Sequence, residues 1–82
     1  MTKPIEINQN DFRPIVGNRL VCHKGNYTVY LSEKLIEIYY QTKQINKRIC
    51  LLPRNSDFDE TIRVIQREIW YHENFLKKET IV

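Results

Sequence analysis

From Ser56 to Lys78 the chain reads SDFDETIRVIQREIWYHENFLKK, a stretch without Gly or Pro whose beginning and end are both marked. Ser56 offers a side-chain oxygen to the first free backbone N–H groups of a helix, and Asp57, Asp59 and Glu60 crowd the first turn, where the helix dipole favours carboxylates. Lys77 and Lys78 sit where the last turn favours cations, and Pro53 lies just upstream. The segment predicts one long helix over 56–78.

Projected at a helical period, Phe58, Ile62, Ile65, Ile69 and Leu76 fall in one narrow sector, the pattern of a stripe that faces a core. Burial of such side chains contributes about 1.5–3 kcal/mol each. The opposite side carries Arg63, Arg67, Trp70, Tyr71, Asn74, Lys77 and Lys78, with Val64 and Phe75 at its margin. Such a face is either a solvated surface supported by pairs such as Asp59–Arg63 and Glu73–Lys77, or a contact surface, because arginine and aromatic residues are the ones that anchor interfaces.

The 82 residues suffice for one domain with a small core, and 41% apolar content is enough for a globular chain. Thirteen Lys and Arg against ten Asp and Glu give +3, a mild excess that tolerates an anionic partner without demanding one. No run approaches the roughly 20 apolar residues that span a bilayer, and MTKPIEINQNDF lacks the apolar run of a secretory signal, so the expectation is a soluble, cytoplasmic protein with no membrane partner. Cys22 and Cys50 each lie in an apolar segment and read as buried free thiols, with a bridge open only if strands set them opposite.

Ahead of the helix, residues 1–14 hold Pro4, Pro14 and the alternation Ile5, Ile7; they read as an edge strand or an ordered arm, since Pro cannot sit in mid-sheet. Gly17 punctuates. Arg19 to His23 and Tyr27 to Leu31 flank Lys24-Gly25-Asn26, which signals a β-hairpin. Residues 32–53 fit two templates. Ser32, Leu35, Ile38, Thr42, Ile45, Ile49 and Leu52 suit a capped helix ended by Pro53, whereas Leu35 to Gln41 and Lys47 to Leu52 suit two strands around a turn near Thr42 to Asn46. The strand reading is preferred, because Ile36-Glu37-Ile38-Tyr39-Tyr40 packs poor helix formers together and extends the hairpin into a meander. The fold expected is α+β: an antiparallel meander of three to five strands over 17–53, one carboxy-terminal helix packed across one face, and a frayed tail at 80–82.

Chemistry-bearing motifs are scarce. Phosphate-cradling loops need closely spaced glycines, and Gly17 and Gly25 stand in unrelated contexts. Cys22, His23, Cys50 and His72 make a poor zinc set, since adjacent Cys22 and His23 on a strand point to opposite faces. The helix-start carboxylates have a structural reason to be there, and His72 lies about 18 Å further along the helix, beside the apolar stripe, as a boundary residue. No catalytic residue, metal or cofactor is expected.

What remains is binding. The first expectation is a non-enzymatic protein-binding module that docks the basic-aromatic helix face, or an open sheet face bearing Tyr30 and one of Tyr39 and Tyr40, on a larger, nucleic-acid-processing protein as its inhibitor. The absence of Ala and the abundance of Ile, Asn, Lys and Tyr suit an A/T-rich coding source, which suggests a phage or mobile element; small anti-CRISPR inhibitors are similar in kind, with no motif shared. The alternative is a nucleic-acid-binding domain whose Arg19, Lys24, Lys43, Lys47 and Arg48 meet phosphates. Self-association through an uncovered strand edge, giving a homodimer, is compatible with both.

The stripe reading carries its own check: Ile65→Asp places a charge in the core and unfolds the domain, seen as loss of the cooperative thermal transition in circular dichroism.

Overall fold

Strands β1 (Arg13–Ile15), β2 (Arg19–Lys24), β3 (Tyr27–Leu31), β4 (Leu35–Gln41) and β5 (Asn46–Pro53) pair in sequence order, each antiparallel to the next. They are followed by helix α1 (Phe58–Tyr71), which continues through a π-helical turn (His72–Leu76). This is the α+β meander with a carboxy-terminal helix that the pattern predicts, in a computed structural model that describes residues 5–78. The frayed tail expected at 80–82 and the first four residues of the arm lie outside the described residues.

Turn chemistry sets the register. Gly25, at φ +57, and Asn26 join β2 to β3 in a two-residue turn that pairs Lys24 with Tyr27. Positive φ at the first central position is what a tight hairpin asks of glycine. The Ser32 hydroxyl accepts from the Leu35 N–H between β3 and β4, and the Thr42 hydroxyl accepts from the N–H groups of Gln44 and Ile45 between β4 and β5. The two-strand reading of 32–53 therefore holds, and residues that suited a helix cap and stripe serve turns and pleats instead.

One sheet face is covered by α1. Cys22, Val29 and Ile38 align across β2, β3 and β4, with Leu31, Ile36, Tyr27 and Tyr40 on the same side, all buried. Cys50 continues that row on β5. Cys22 and Cys50 are thus three strand spacings apart, about 14 Å, which excludes a bridge between them, and both thiols are free. Thr61, Ile65 and Ile69 supply the buried face of α1, with Phe58, Ile62 and Val64 partly buried against the core. Val64, read from the projection as marginal to the outer face, belongs with the core, and so does Thr61, whose hydroxyl donates to the carbonyls of Asn55 and Asp57. The helix starts one residue later than its first polar residue suggests: Asp57, not Ser56, is the N-cap, and its carboxylate accepts from the Asp59 N–H at 3.0 Å.

Ile5 and Ile7 form no strand. Pro14 sits in the short edge strand β1, while residues 5–8 form an ordered arm against the helix: Ile7 is buried and its N–H donates to Gln66 Oε1 at 2.8 Å. Arg54 clamps the link between sheet and helix, donating to the Ser32 carbonyl at 2.9 Å and stacking 5.2 Å from the Phe58 ring centroid. In β5 the register slips at Ile38/Tyr39, so that Cys50 pairs with Ile38 and Arg48 with Tyr39, leaving Ile49 as the extra residue of a bulge.

The far end of the helix meets the sheet through a buried polar chain. His72, 2% exposed, lies 4.9 Å from the Tyr40 ring and 5.5 Å from the Tyr27 ring, centroid to centroid. The boundary position expected for it is therefore an interior one. The Tyr27 hydroxyl donates to Glu73 Oε2 at 2.7 Å, and Glu73 Oε1 accepts from Lys77 Nζ at 3.1 Å. With its single proton given to Glu73, the Tyr27 oxygen accepts from His72 Nδ1 at 2.8 Å, which places the imidazole proton on Nδ1. Burial and the Glu73 carboxylate raise the Tyr27 pKa. Burial opposes the Glu73 charge, but the bonds from Tyr27 and Lys77 outweigh it and hold the carboxyl below its ordinary value.

Burial lowers the His72 pKa below 6.5; Glu73 pulls the other way, and Lys77 and Lys47 add to the lowering. The unfolded chain takes up this proton as pH falls through about 6.5 while the folded chain resists it, so the stability tied to the neutral ring is complete above that value and is lost below it. Glu73, depressed in the fold, loses its contribution at still lower pH, beginning where an unfolded Glu protonates, near about 4.3. Thermal unfolding followed from pH 7.5 to 5 is expected to show a falling Tm, and His72→Gln is expected to flatten that interval while leaving the more acidic decline. An unchanged slope in the variant assigns the effect to another group.

Candidate functional site

Two surfaces gather the residues singled out in the sequence. The first is the outer side of α1 at its carboxy-terminal end. In a regular α-helix Trp70 and Phe75 diverge, but a π-helical turn bonds each carbonyl to the fifth residue on and so stacks residues five apart. Across His72–Leu76 this brings Phe75 to 5.6 Å from the Trp70 ring, edge to face, and to 5.2 Å from Tyr71. Phe75, marginal in the α-helical projection, becomes the centre of an aromatic cluster. It is 51% exposed and Tyr71 48%, while Trp70 is half-buried. The signal for this was hidden, because a uniform helical period cannot show where the period changes.

Around the cluster the predicted residues separate by role. Arg67 and Lys78 are exposed. Asn74 donates to the Trp70 carbonyl at 2.8 Å and helps to hold the turn. Arg63 pairs with Glu60 at 3.0 Å, a contact between exposed side chains one turn apart that contributes little. Lys77 pairs with Glu73 at 3.1 Å, which ties it to the buried polar chain, while its side chain stays partly exposed beside Phe75 and Lys78. Of the outer face read from the projection, Arg63, Arg67, Tyr71 and Lys78 are exposed and Trp70, Asn74 and Lys77 partly so, and Phe75 joins them at its centre.

The second surface is the sheet face turned away from α1, on which no element packs among the described residues. Of the five basic residues grouped in the sequence as phosphate contacts, it brings together only Arg19 and Arg48. Lys24 lies on the helix side of β2 and pairs with Asp11 at 3.3 Å, Lys47 faces the helix side opposite Tyr40, and Lys43 stands in the turn between β4 and β5. Arg13, paired with Val21 at the sheet edge, joins the open face instead. Strict alternation from Leu52 would turn Arg48 inward. The bulge at Ile49 reverses it, so that Arg48 reaches Glu37 at 3.3 Å on the open side. Of the adjacent tyrosines, Tyr40 is buried under the helix and Tyr39 is on the open face, 5.7 Å from Tyr30.

The groups that might have suggested catalysis are otherwise engaged. Asp57 caps the helix, Asp59 accepts from Gln9 Nε2 at 2.6 Å, and Glu60 pairs with Arg63. Cys22 and His23 point to opposite faces. Burial raises both thiols, Cys50 to about 11, which keeps them protonated and poorly nucleophilic near neutrality. Among the described residues no three His, Cys, Asp or Glu side chains converge as metal ligands, and no helix is long and apolar enough to cross a membrane.

Comparison with protein-family models, with curated proteins and with solved structures finds no match to this chain in any of the three.

Proposed function

We propose that the chain is a small, soluble, non-enzymatic binding module that docks on a larger protein through the aromatic end of its helix. The observation that carries this reading is the partly exposed Trp70–Tyr71–Phe75 cluster, assembled by a break in helical period and flanked by Arg67 and Lys78. Rigid aromatic side chains lose little conformational freedom on binding, and they and arginine dominate the energetics of protein interfaces. The core is satisfied by the opposite side of the same helix, so packing within the chain does not account for Phe75 being half in solvent. Two cations beside three rings suit an apolar groove rimmed by carboxylates, such as a helix-binding groove. Inhibition of an intracellular nucleic-acid-processing protein, as a small phage or mobile-element protein would perform it, is the form of this activity that the chain's size and composition favour.

Arg67→Glu combined with Phe75→Ser tests the reading without touching the half-buried Trp70. Both positions are exposed, so stability is expected to stay within about 1 kcal/mol of the parent. Affinity capture from nuclease-treated lysate is expected to recover a protein that the parent retains in high salt and the double variant does not. Equal capture by both removes the helix end as the docking surface. A mass that doubles with concentration in light scattering identifies the partner as a second copy of the chain.

A further inference from the structure

The open sheet face carries a different chemistry from the helix end, and its reading does not rest on the docking proposal. Its middle is aromatic: Tyr30 of β3 and Tyr39 of β4 are half-buried neighbours with rings at 88°. Its charge is positive. Arg19 lies 5.6 Å from the Tyr30 ring centroid, Arg48 beside Glu37, and Arg13 at the β1 edge; three arginines against one strand carboxylate leave the face with a net charge of +2.

Beside the aromatic pair a row of side-chain hydrogen bonds crosses four strands. The Thr28 hydroxyl donates to Gln41 Oε1 at 2.7 Å and so accepts from His23 Nδ1 at 2.6 Å, which leaves His23 Nε2 as an acceptor. Gln41 Nε2 donates to Asn46 Oδ1 at 3.0 Å, which leaves the Asn46 amide hydrogens as donors. His23 and Asn46, at the two ends of the row, are exposed. The row presents an acceptor at one end and a donor at the other.

We infer that this face is a platform for single-stranded nucleic acid. An unpaired base stacks on Tyr39, whose ring Tyr30 braces edge to face, phosphates meet the guanidinium forks of Arg13, Arg19 and Arg48, and the polar row offers groups to base edges. A duplex keeps its base faces stacked internally and so cannot use the rings. An acidic peptide satisfies the arginines but brings no flat π surface to two tyrosines on a pleated sheet. The bulge at Ile49 is part of the device, because without it Arg48 would point to the helix side of the sheet.

Fluorescence anisotropy with labelled oligothymidylate, oligouridylate and a hairpin duplex tests this. Both single strands are expected to bind more tightly than the duplex, with affinity falling as salt rises toward about 200 mM. Tyr39→Ala is expected to weaken binding roughly 5- to 150-fold, the loss of one stacked base, and Tyr39→Phe to retain it. Glu37→Gln, which removes the strand carboxylate at a partly exposed position, is expected to tighten binding, and this holds as a test even where Tyr39→Ala fails to fold by circular dichroism. Arg67→Glu with Phe75→Ser is expected to leave oligonucleotide affinity unchanged, which separates this site from the helix end. Equal affinity for duplex, a folded Tyr39→Ala that binds like the parent, a Glu37→Gln that gains nothing, or no binding in low salt overturns the inference.

Discussion

Burial of the Ile65–Ile69 stripe on one face of the meander is the contact on which the rest of this structure depends. A five-stranded antiparallel sheet has two faces, and the buried core of this chain lies on one of them. Placing α1 over Val29, Leu31, Ile36 and Ile38 leaves the other face uncovered among the described residues. Both candidate surfaces follow from that division: the outer side of the helix, which the core does not need, and the sheet face that no second helix covers among the described residues. The polar chain of Tyr27, His72 and Glu73 anchors the helix end where the isoleucine stripe stops, so the aromatic cluster beyond it is presented from a fixed base.

Much of this architecture is legible in residue pattern because its causes are local. The helix declares itself through four-and-three spacing and charge bias, and the strands of 35–53 through a β-branched and aromatic run that makes a poor helix. Turn residues such as Gly25 and Thr42 act on neighbours two or three positions away. For the arm and for His72, where the reading departs from the structure, the deciding partner is remote. Ile5 and Ile7 alternate like a strand, but the edge is taken by β1, and the arm finds Gln66, 59 residues on. His72 looks like a boundary residue until Tyr27, 45 residues earlier, folds beneath it.

The candidate surfaces were less legible than the fold, for a specific reason. Side-chain direction in a helix or strand is inferred by counting, and each surface here contains an irregularity that upsets such a count. One π-helical turn moves Phe75 from the margin to the centre of the aromatic cluster, and one extra residue at Ile49 exchanges the faces of Arg48 and Lys47. Both irregularities shift side chains without interrupting the element that carries them. Neither leaves a Gly or Pro to mark it. Composition can therefore nominate arginines and aromatics as surface formers while misplacing which of them meet.

The strand order has a kinetic meaning as well. Every strand pairs with its neighbour in sequence across a turn of two to four residues, so the sheet grows by short loop closures, each costing little chain entropy. The long closures are reserved for the helix, which must bring Glu73 to Tyr27 and Gln66 to Ile7. A chain arranged this way makes its sheet contacts between neighbours in sequence and reserves its few distant contacts for the helix, the pattern associated with rapid folding.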